Sequence, residues 1–313
     1  MGKAKKFFAV FLTFAMLLSL PVIGSAQSDD LPFSDSAFYE TGDYSIHYRF
    51  KPATAEFAGR IALLHGFISS TVVWEDMAAL LNAAGYDCLL IDLPGFGYST
   101  RETAGVSPIP REDLVADVMW EVAPDEPWIL GGHSMGGGAA LTVVNKYPEL
   151  VSALVLYAPV GDFSDWGSGY SDGYTTFLGN MLNMVWNSLL NIASISFVGK
   201  SIKQAHGYDA DYDLNGRVIA PLRVKNTAMS MLFMMKRLTP IDFEITRQLT
   251  IPVLLCLAEN DESVANDSPE ALAVENGLPA QYEKVIVPDA PHTFVETRAE
   301  TAAGITLDFL AAD

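Results

Sequence analysis

A serine between two glycines lies near the middle of the chain, where residues 128–140 read WILGGHSMGGGAA. Gly132 precedes Ser134 by two positions and Gly136 follows it by two. This spacing is typical of a sharp strand-to-helix turn, which strains the serine at its apex and leaves little room for side chains two positions away. The helix after such a turn offers free N–H groups at its start. The pattern therefore predicts Ser134 as a nucleophile and the Met135 N–H as a donor to an oxyanion.

The elements needed to position this serine follow from the alternation of apolar runs and helical spacings along the chain. Continuous apolar runs predict strands buried on both faces of a sheet at 60–67, 86–93, 128–133, 153–159, 251–257 and 282–287. Helical spacing predicts helices at 74–84, 111–122, 139–147, 269–276 and 301–310. Residues 38–50 predict an earlier hairpin around Gly42 and Asp43. The order predicts an α/β fold with a mainly parallel, doubly wound sheet and right-handed crossovers.

The alternation stops between residues 161 and 240. Residues 161–173 are rich in Gly, Asp, Ser and Tyr, residues 177–197 are apolar with few charges, and residues 229–235 read MSMLFMM. This composition predicts an insertion with its own helices after the sixth strand. The predicted domains are a signal peptide at 1–26, a core at 27–160 and 241–313, and a helical insertion at 161–240.

The first residues have the pattern of a secretory signal. Three lysines within the first six residues precede an uncharged apolar run, Phe7 to Leu20, and small residues end at Ala26. Cleavage after Ala26 and export from the cytoplasm are the expectation. The run is short for a membrane span, which needs about 20 apolar residues. An uncleaved anchor over residues 7–26 is the alternative.

Composition excludes several classes of protein. Half of the 313 residues are apolar, which is enough for one large core, and 38 acidic residues against 19 Lys and Arg give a net charge of −19. Such an acidic chain disfavours nucleic acids as partners. No spacing of Cys and His indicates a metal site, and no glycine fingerprint indicates a nucleotide cofactor, so neither is predicted.

Cys88 and Cys256 lie in strand-like runs and are predicted to be unpaired core thiols rather than a disulfide.

With these pieces in place, the chain resembles the α/β-hydrolase family over about residues 38–310. His65-Gly66-Phe67 resembles the family's oxyanion loop, which implies the Phe67 N–H as a second donor beside Met135. Residues 92–99, DLPGFGYS, resemble a structural turn of the family. Asp261, just past a strand, matches the position of the family's acid, and His292, after the last strand, matches its base.

Other residues could replace these in the predicted triad. Asp162, after the strand that follows the serine, is the alternative acid, whereas Glu262 and Asp289 are expected to be solvated bystanders. Among the histidines, His133 is expected to pack, since neighbours at such a turn point apart, and His65 is expected to form structural hydrogen bonds. The other two, His47 and His206, are expected at the surface or in packing rather than as bases.

The resemblance implies an acyl-enzyme mechanism, because members that open epoxides or dehalogenate carry aspartate where Ser134 stands. The expected activity is hydrolysis of small carboxylic esters with apolar acyl groups, without a cofactor. Lactone, amide or carbon–carbon bond hydrolysis and perhydrolysis remain alternatives on the same triad, and a non-catalytic binding protein is a further class. The insertion is expected to form a cap in which Trp186, Met231 and Met234 contact substrate. Membrane contact is less favoured, because the insertion lacks a basic face.

Overall fold

The computed structural model of the protein describes residues 31–161 and 170–312. Eight strands form one sheet: β1 (Ser36–Thr41), β2 (Tyr44–Lys51), β3 (Gly59–Leu64), β4 (Tyr86–Ile91), β5 (Trp128–His133), β6 (Val151–Tyr157), β7 (Val253–Ala258) and β8 (Glu283–Val287). Their order is β1-β2-β4-β3-β5-β6-β7-β8. The first hairpin is antiparallel and joins β4 in antiparallel register, whereas all other pairs are parallel. The carboxyl ends of the parallel strands therefore meet at one edge of the sheet, where the loops can bring side chains together.

Helices connect the strands and cover the sheet. The core helices are α1 (Glu75–Ala83), α2 (Arg111–Val122), α3 (Met135–Lys146), α8 (Phe243–Thr246), α9 (Pro269–Gly277), α10 (Phe294–Thr297) and α11 (Ala299–Ala311). Between β6 and β7 lie α4 (Asp172–Ala193), α5 (Ser196–Ala205), a π-helical turn (Asn215–Ile219), α6 (Ala220–Leu222) and α7 (Thr227–Lys236). Short 3-10 turns at Thr71–Trp74 and Pro148–Leu150 precede α1 and β6.

Two apolar clusters cover opposite faces of the sheet. Along β3, Ala62 and Leu64 pack on the side of α2 and α3, whereas Ile61 and Leu63 pack on the side of α1 and α11. Side chains alternate between faces along a strand, so a strand that is apolar throughout must be covered on both sides. The α/β class and the mainly parallel, doubly wound sheet are confirmed.

The two cysteines behave as core residues. Cys88 in β4 and Cys256 in β7 are both free and fully buried. Burial raises the pKa of each thiol to about 12. The prediction of unpaired, buried thiols is confirmed.

One face of α4 packs against α7, and the other is open. Gly179 faces α7 so closely that a Cβ there would come within 2.5 Å of the Met229 Cγ. On the open face, Phe177 is 59% exposed and Met184 is 82% exposed. The composition of residues 177–192, which is too apolar all round for a solvent-facing helix, predicts a helix that is buried on every side. In the structure only one stripe of α4 is buried. Among the described residues no single helix is long and apolar enough to span a membrane; α4 and α5 reach that threshold only as a pair, which bends by 88°.

Candidate active site

Ser134 occupies the junction between β5 and α3. Its backbone has φ 54° and ψ −121°, a conformation that costs a non-glycine residue on the order of 1–3 kcal/mol. Three hydrogen bonds hold it there: the Ser134 N–H donates to the Tyr157 carbonyl at 2.9 Å, and the Ser134 carbonyl accepts from the N–H groups of Gly137 at 2.9 Å and Val160 at 3.0 Å. The neighbouring strand thus compensates the strain. The side chain lies at the carboxyl edge of the sheet.

The flanking glycines allow this turn because the backbone passes too close for a side chain. A Cβ on Gly132 would lie 2.2 Å from the Gly136 carbonyl oxygen. A Cβ on Gly136 would lie 2.3 Å from the Leu64 carbonyl oxygen at the end of β3. Larger residues at either position would push α3 away from the sheet, and with it the start of the helix beside Ser134.

Two backbone segments approach the serine from different sides. Met135 is the first residue of α3, so its N–H has no acceptor one turn earlier in the helix. The loop after β3 passes so close that a Cβ on Gly66 would lie 3.1 Å from the Ser134 Cβ. This loop contains Phe67 and then Ile68, whose φ of 56° is unusual for a β-branched residue. Both candidate donors, Phe67 and Met135, therefore lie next to a residue with positive φ.

The structure brings Asp261 and His292 together. Asp261 follows β7 and His292 follows β8, and the His292 Nδ1 lies 2.6 Å from the Asp261 Oδ2. The other carboxylate oxygen accepts the N–H groups of Ser263 at 2.9 Å and Val264 at 2.7 Å. Since the carboxylate accepts, the His292 Nδ1 carries the proton, which leaves Nε2 free as a base. The Asp261 side chain is 1% exposed and that of His292 is 15% exposed.

Within the described residues the Ser134 hydroxyl makes no hydrogen bond to His292 or to another group. Hydrogen bonds of this type are often long before a substrate is bound. The alternative acid Asp162 lies outside the described residues. Asp289 and Glu262 are exposed, and the Asp289 N–H donates to Glu259.

Two other histidines have structural partners. The ring of His65 donates from Nδ1 to the Gly66 carbonyl at 2.7 Å, and its Nε2 accepts the Leu93 N–H at 3.0 Å. Burial lowers the pKa of His65, which keeps the ring neutral in this arrangement. The ring of His47 is fully buried and lies 2.7 Å from the Asp92 carboxylate. His47 was expected either at the surface or packed in the interior. The structure places it in the interior, where its ring forms a hydrogen bond with the fully buried carboxylate of Asp92. His206 is exposed, as one of its two expected positions requires.

The predicted substrate-contacting residues lie inside an apolar cluster that also includes Met135. Trp186 in α4 and Met231 and Met234 in α7 are all at least nine-tenths buried. The indole Nε1 of Trp186 donates to the Leu222 carbonyl at 2.8 Å. The insertion and the residue after Ser134 therefore belong to one continuous apolar cluster.

The insertion also contacts the loop that carries His292. Thr293 donates its hydroxyl to the His206 carbonyl at 2.7 Å, and a Cβ on Gly207 would lie 3.0 Å from the Pro291 ring. Glu296 in α10 accepts the Tyr212 hydroxyl at 2.5 Å and the Arg217 Nε at 3.2 Å. A cavity of about 300 Å³ lies at this junction. The insertion thus packs against residues on both sides of His292.

Arg101 was missed by sequence reasoning. Its buried guanidinium donates to the carbonyls of Phe96, Gly97 and Ser99 in the turn after β4, and to the Pro221 carbonyl and Thr227 hydroxyl of the insertion. Burial lowers its pKa to about 10. Local sequence gives no signal for this role, because the partners in the insertion lie more than 100 residues away.

Comparison with known proteins places these features in a family. A family model described as serine aminopeptidase, S33, matches residues 55–296, well over half of the chain. The chain belongs to this family of α/β-hydrolases. A thermophilic esterase from Thermogutta terrifontis has a similar fold, with a TM-score of 0.64 at 19% identity over 86% of this chain and 94% of that one. A probable hydrolytic enzyme from Pseudomonas aeruginosa superimposes with a TM-score of 0.63 at 20% identity, over 88% and 93% of the two chains.

Curated relatives are similar to this α/β-hydrolase over shorter stretches. An esterase from Mycobacterium tuberculosis is 35% identical over 100 residues, which is 32% of this chain and 32% of the relative. The dihydrolipoyllysine-residue acetyltransferase component of the acetoin cleaving system from Cupriavidus necator is 30% identical over 154 residues, 48% of this chain and 40% of the relative. The matched stretch therefore spans well under half of each relative. Together with the family match, these similarities identify the chain as a hydrolase with esterase-type relatives.

Proposed function

We propose that the protein is a serine hydrolase that cleaves small carboxylic esters with apolar acyl groups through an acyl-enzyme. The observation that carries the proposal is the strained Ser134 at the start of α3, at the same edge of the sheet as the hydrogen-bonded pair of Asp261 and His292. Strained backbone at a helix start and a carboxylate-oriented imidazole are the arrangement that activates a serine.

The mechanism follows from the proton positions. His292 Nε2 takes the proton of the Ser134 hydroxyl while the Ser134 Oγ bonds to the ester carbonyl carbon. The N–H groups of Phe67 and Met135 stabilise the oxyanion, and each such donor is worth on the order of 3 kcal/mol. When the carbon–oxygen bond of the ester breaks, His292 gives the proton to the leaving alcohol. Water then repeats both steps on the acyl-enzyme, and Asp261 stabilises the imidazolium each time.

The apolar acyl preference rests on the insertion, which we propose as a cap. Trp186, Met231 and Met234 share one apolar cluster with Met135, and flexible Met side chains suit an irregular apolar pocket. The substrate is thus recognised by apolar contact, and the account needs neither metal nor cofactor.

A second candidate is amide hydrolysis, because the matching family is described as serine aminopeptidase. A panel of p-nitrophenyl esters, lactones and aminoacyl anilides separates the two, with Ser134→Ala as the control for enzyme-dependent turnover. Ester turnover that exceeds anilide turnover and vanishes in Ser134→Ala supports the proposal. Anilide turnover alone, also lost in Ser134→Ala, would replace the esterase by an aminopeptidase, and turnover that survives Ser134→Ala would reject the nucleophile.

We also propose that the protein is exported, from the lysine-rich start and apolar run of residues 1–26. Mass spectrometry of the N-terminus after expression in a secreting host should find Gln27 as the first residue. An intact N-terminus on membrane-bound protein would favour the anchor instead.

A further inference from the structure

His133 links the nucleophile to the base through a contact that neither motif contains. It is the last residue of β5 and is covalently adjacent to Ser134, and it is 7% exposed. Its ring Nε2 lies 2.8 Å from the backbone oxygen of His292, a residue 159 positions later. Since a carbonyl oxygen only accepts, the Nε2 of His133 carries the proton and donates.

The surroundings of the ring fix its orientation. The ring centroids of His133 and His292 are 4.8 Å apart, and the rings of Trp74 and His133 meet edge to face with centroids 6.5 Å apart. A Cβ on Gly66 would lie 3.2 Å from the His133 Nδ1. The ring is therefore enclosed between the oxyanion loop, Trp74 and the loop that carries His292.

The His292 carbonyl accepts no other hydrogen bond from the described residues, so this contact is its only polar restraint. The side chain of His292 is oriented separately, through its Nδ1 and Asp261. Burial lowers the pKa of His133 to about 3, and the electrostatic interaction with His292 acts in the same direction. The ring thus stays neutral near pH 7 and adds no second positive charge beside the base.

We propose that His133 is a positioning residue: its Nε2–H holds the backbone of His292 at a fixed distance from Ser134. The inference rests on the proposed serine-hydrolase function. It assigns the residue before the nucleophile a role in placing the base. Because the reacting atoms must meet within a few tenths of an ångström, a shift of about 1 Å in the His292 backbone would slow the reaction about 100-fold.

Three replacements test the hydrogen bond. His133→Gln keeps an N–H donor, whereas His133→Met has a similar size without the donor, and His133→Phe keeps a ring without a donor. The measurement is the second-order rate at which an alkyl fluorophosphonate labels Ser134, which needs an activated serine but no knowledge of the natural substrate. Melting temperatures and ester kcat and KM are measured in parallel.

We expect His133→Met and His133→Phe to be labelled about 100-fold more slowly than wild type and His133→Gln within about tenfold of it. For esters, kcat should fall in the same order while KM changes by less than about twofold, because the contact restrains the base rather than the substrate. If His133→Phe does not fold, the labelling rates of His133→Gln and His133→Met, compared at equal melting temperature, still test the hydrogen bond.

Two failures are distinguishable. If wild type is labelled but His133→Met matches it, or if Gln and Met lose rate equally, His133 has no positioning role while the serine-hydrolase function stands. If wild type itself is not labelled at Ser134, the proposed function is wrong and the role of His133 falls with it.

Discussion

Two sets of Ser, His and Asp lie in this molecule, and they differ in what surrounds the serine. In the candidate active site, Asp261 and His292 are 2.6 Å apart, and the Ser134 hydroxyl has no hydrogen-bond partner within the described residues. Under the antiparallel hairpin, Asp92 and His47 are 2.7 Å apart, and the His47 Nε2 lies 2.8 Å from the Ser36 Oγ. The hydrogen-bonded chain from Ser to His to Asp is complete only in the second set.

The second set is nevertheless a structural network. His47 and Asp92 are fully buried, with the rings of Phe33, Phe38 and Tyr98 around the imidazole. The Ser36 Oγ also accepts the Phe33 N–H at 3.0 Å, which holds the start of β1. This serine has no positive φ and begins a strand, so no helix start offers it free N–H groups.

The comparison shows which features distinguish the surroundings of Ser134 from those of Ser36. The hydrogen bond between His and Asp is present in both sets. The strained backbone, the start of a helix beside the serine and the partly exposed His occur only around Ser134. In the proposed mechanism, stabilisation of the oxyanion and access for substrate therefore distinguish the two sets.

The largest effect should separate the two serines. Ser134→Ala should lower ester kcat by a factor on the order of 10⁵, because it removes the nucleophile, and His292→Ala should do nearly the same. The double variant should lose little more, since the two residues act as a unit. Initial rates with a p-nitrophenyl ester give this directly. Ser36→Ala is the matched control and should keep kcat/KM within about twofold; a large loss in Ser36→Ala would erase the distinction.

The two aspartates should show opposite effects on activity and stability. Asp261→Asn should lower kcat by about 10⁴-fold, because it destabilises the required tautomer of His292, with a smaller loss of stability. Asp92→Asn should lower the free energy of unfolding by about 3 kcal/mol, because it breaks a fully buried pair, while kcat per folded molecule changes little. Urea unfolding and initial rates, measured on both variants, test whether Asp261→Asn mainly loses activity and Asp92→Asn mainly loses stability.

The stability effect of Asp92 should depend on pH. Burial raises the pKa of Asp92, but the hydrogen bonds that its carboxylate accepts from His47 and from the Tyr98 N–H outweigh burial and leave the pKa below its usual value. A depressed pKa contributes stability above about pH 4, and this contribution is lost as the pH falls through the lower folded value. The gap in unfolding free energy between wild type and Asp92→Asn should therefore narrow in acid. A gap that widens below pH 4 would contradict the ionised, paired state of Asp92.

A smaller effect concerns the apolar residues of the insertion, which are proposed to contact substrate at Ser134 and have no counterpart in the proposal for the Ser36 set. If the insertion selects acyl chains, kcat/KM should rise about fourfold for each added methylene until the pocket is full. Met231→Ser and Met234→Ser should flatten this rise. Met184→Ser, on the open face of α4 and 82% exposed, is the control and should leave it unchanged. A series of p-nitrophenyl esters from acetate to octanoate measures it, and an unchanged slope in all three variants would leave the insertion a structural cover.

The smallest effect is the absence of a reaction at the buried thiols. With a pKa raised to about 12 by burial, Cys88 and Cys256 should not be alkylated by iodoacetamide in the native protein at pH 8. Both should react in denaturant, and intact mass gives the number of adducts. Alkylation of the native protein would show that burial does not prevent the reaction of these thiols.

Local patterns predicted most of the elements. The helix at 111–122 has the predicted bounds, and the predicted strands lie within a few residues of β3 to β8. The helix after Ser134 was predicted from Ala139, but it begins at Met135. Glycine is a poor helix former. The run from Gly136 to Gly138 therefore gave no helical signal, and the four residues from Met135 to Gly138 were left out of the predicted helix. Tertiary contact accounts for the difference, because a Cβ on Gly137 would meet Pro159 at 2.7 Å and one on Gly138 would meet the Val160 carbonyl at 2.7 Å.

Long-range contacts were beyond the reach of the sequence. The partners of His47 and His133 lie 45 and 159 residues away, so no local periodicity marks either pair. The exposed stripe of α4 was missed for a related reason. Apolar composition indicates that a helix packs against other elements, but it does not show which face of the helix is buried. Ser134 was easier to propose because it directly follows a recognisable strand. Asp261 and His292 were proposed because they lie in the loops after two later strands, at positions that match the family's acid and base.

The most direct test of the account is the position of a fluorophosphonate adduct. Labelled wild-type protein is digested, and the modified peptide is sequenced by tandem mass spectrometry. We predict one adduct per chain, on Ser134, and none on Ser36. An adduct on Ser36, or no adduct on either serine in folded protein, would contradict the claim that backbone strain and free N–H groups mark Ser134 as the nucleophile.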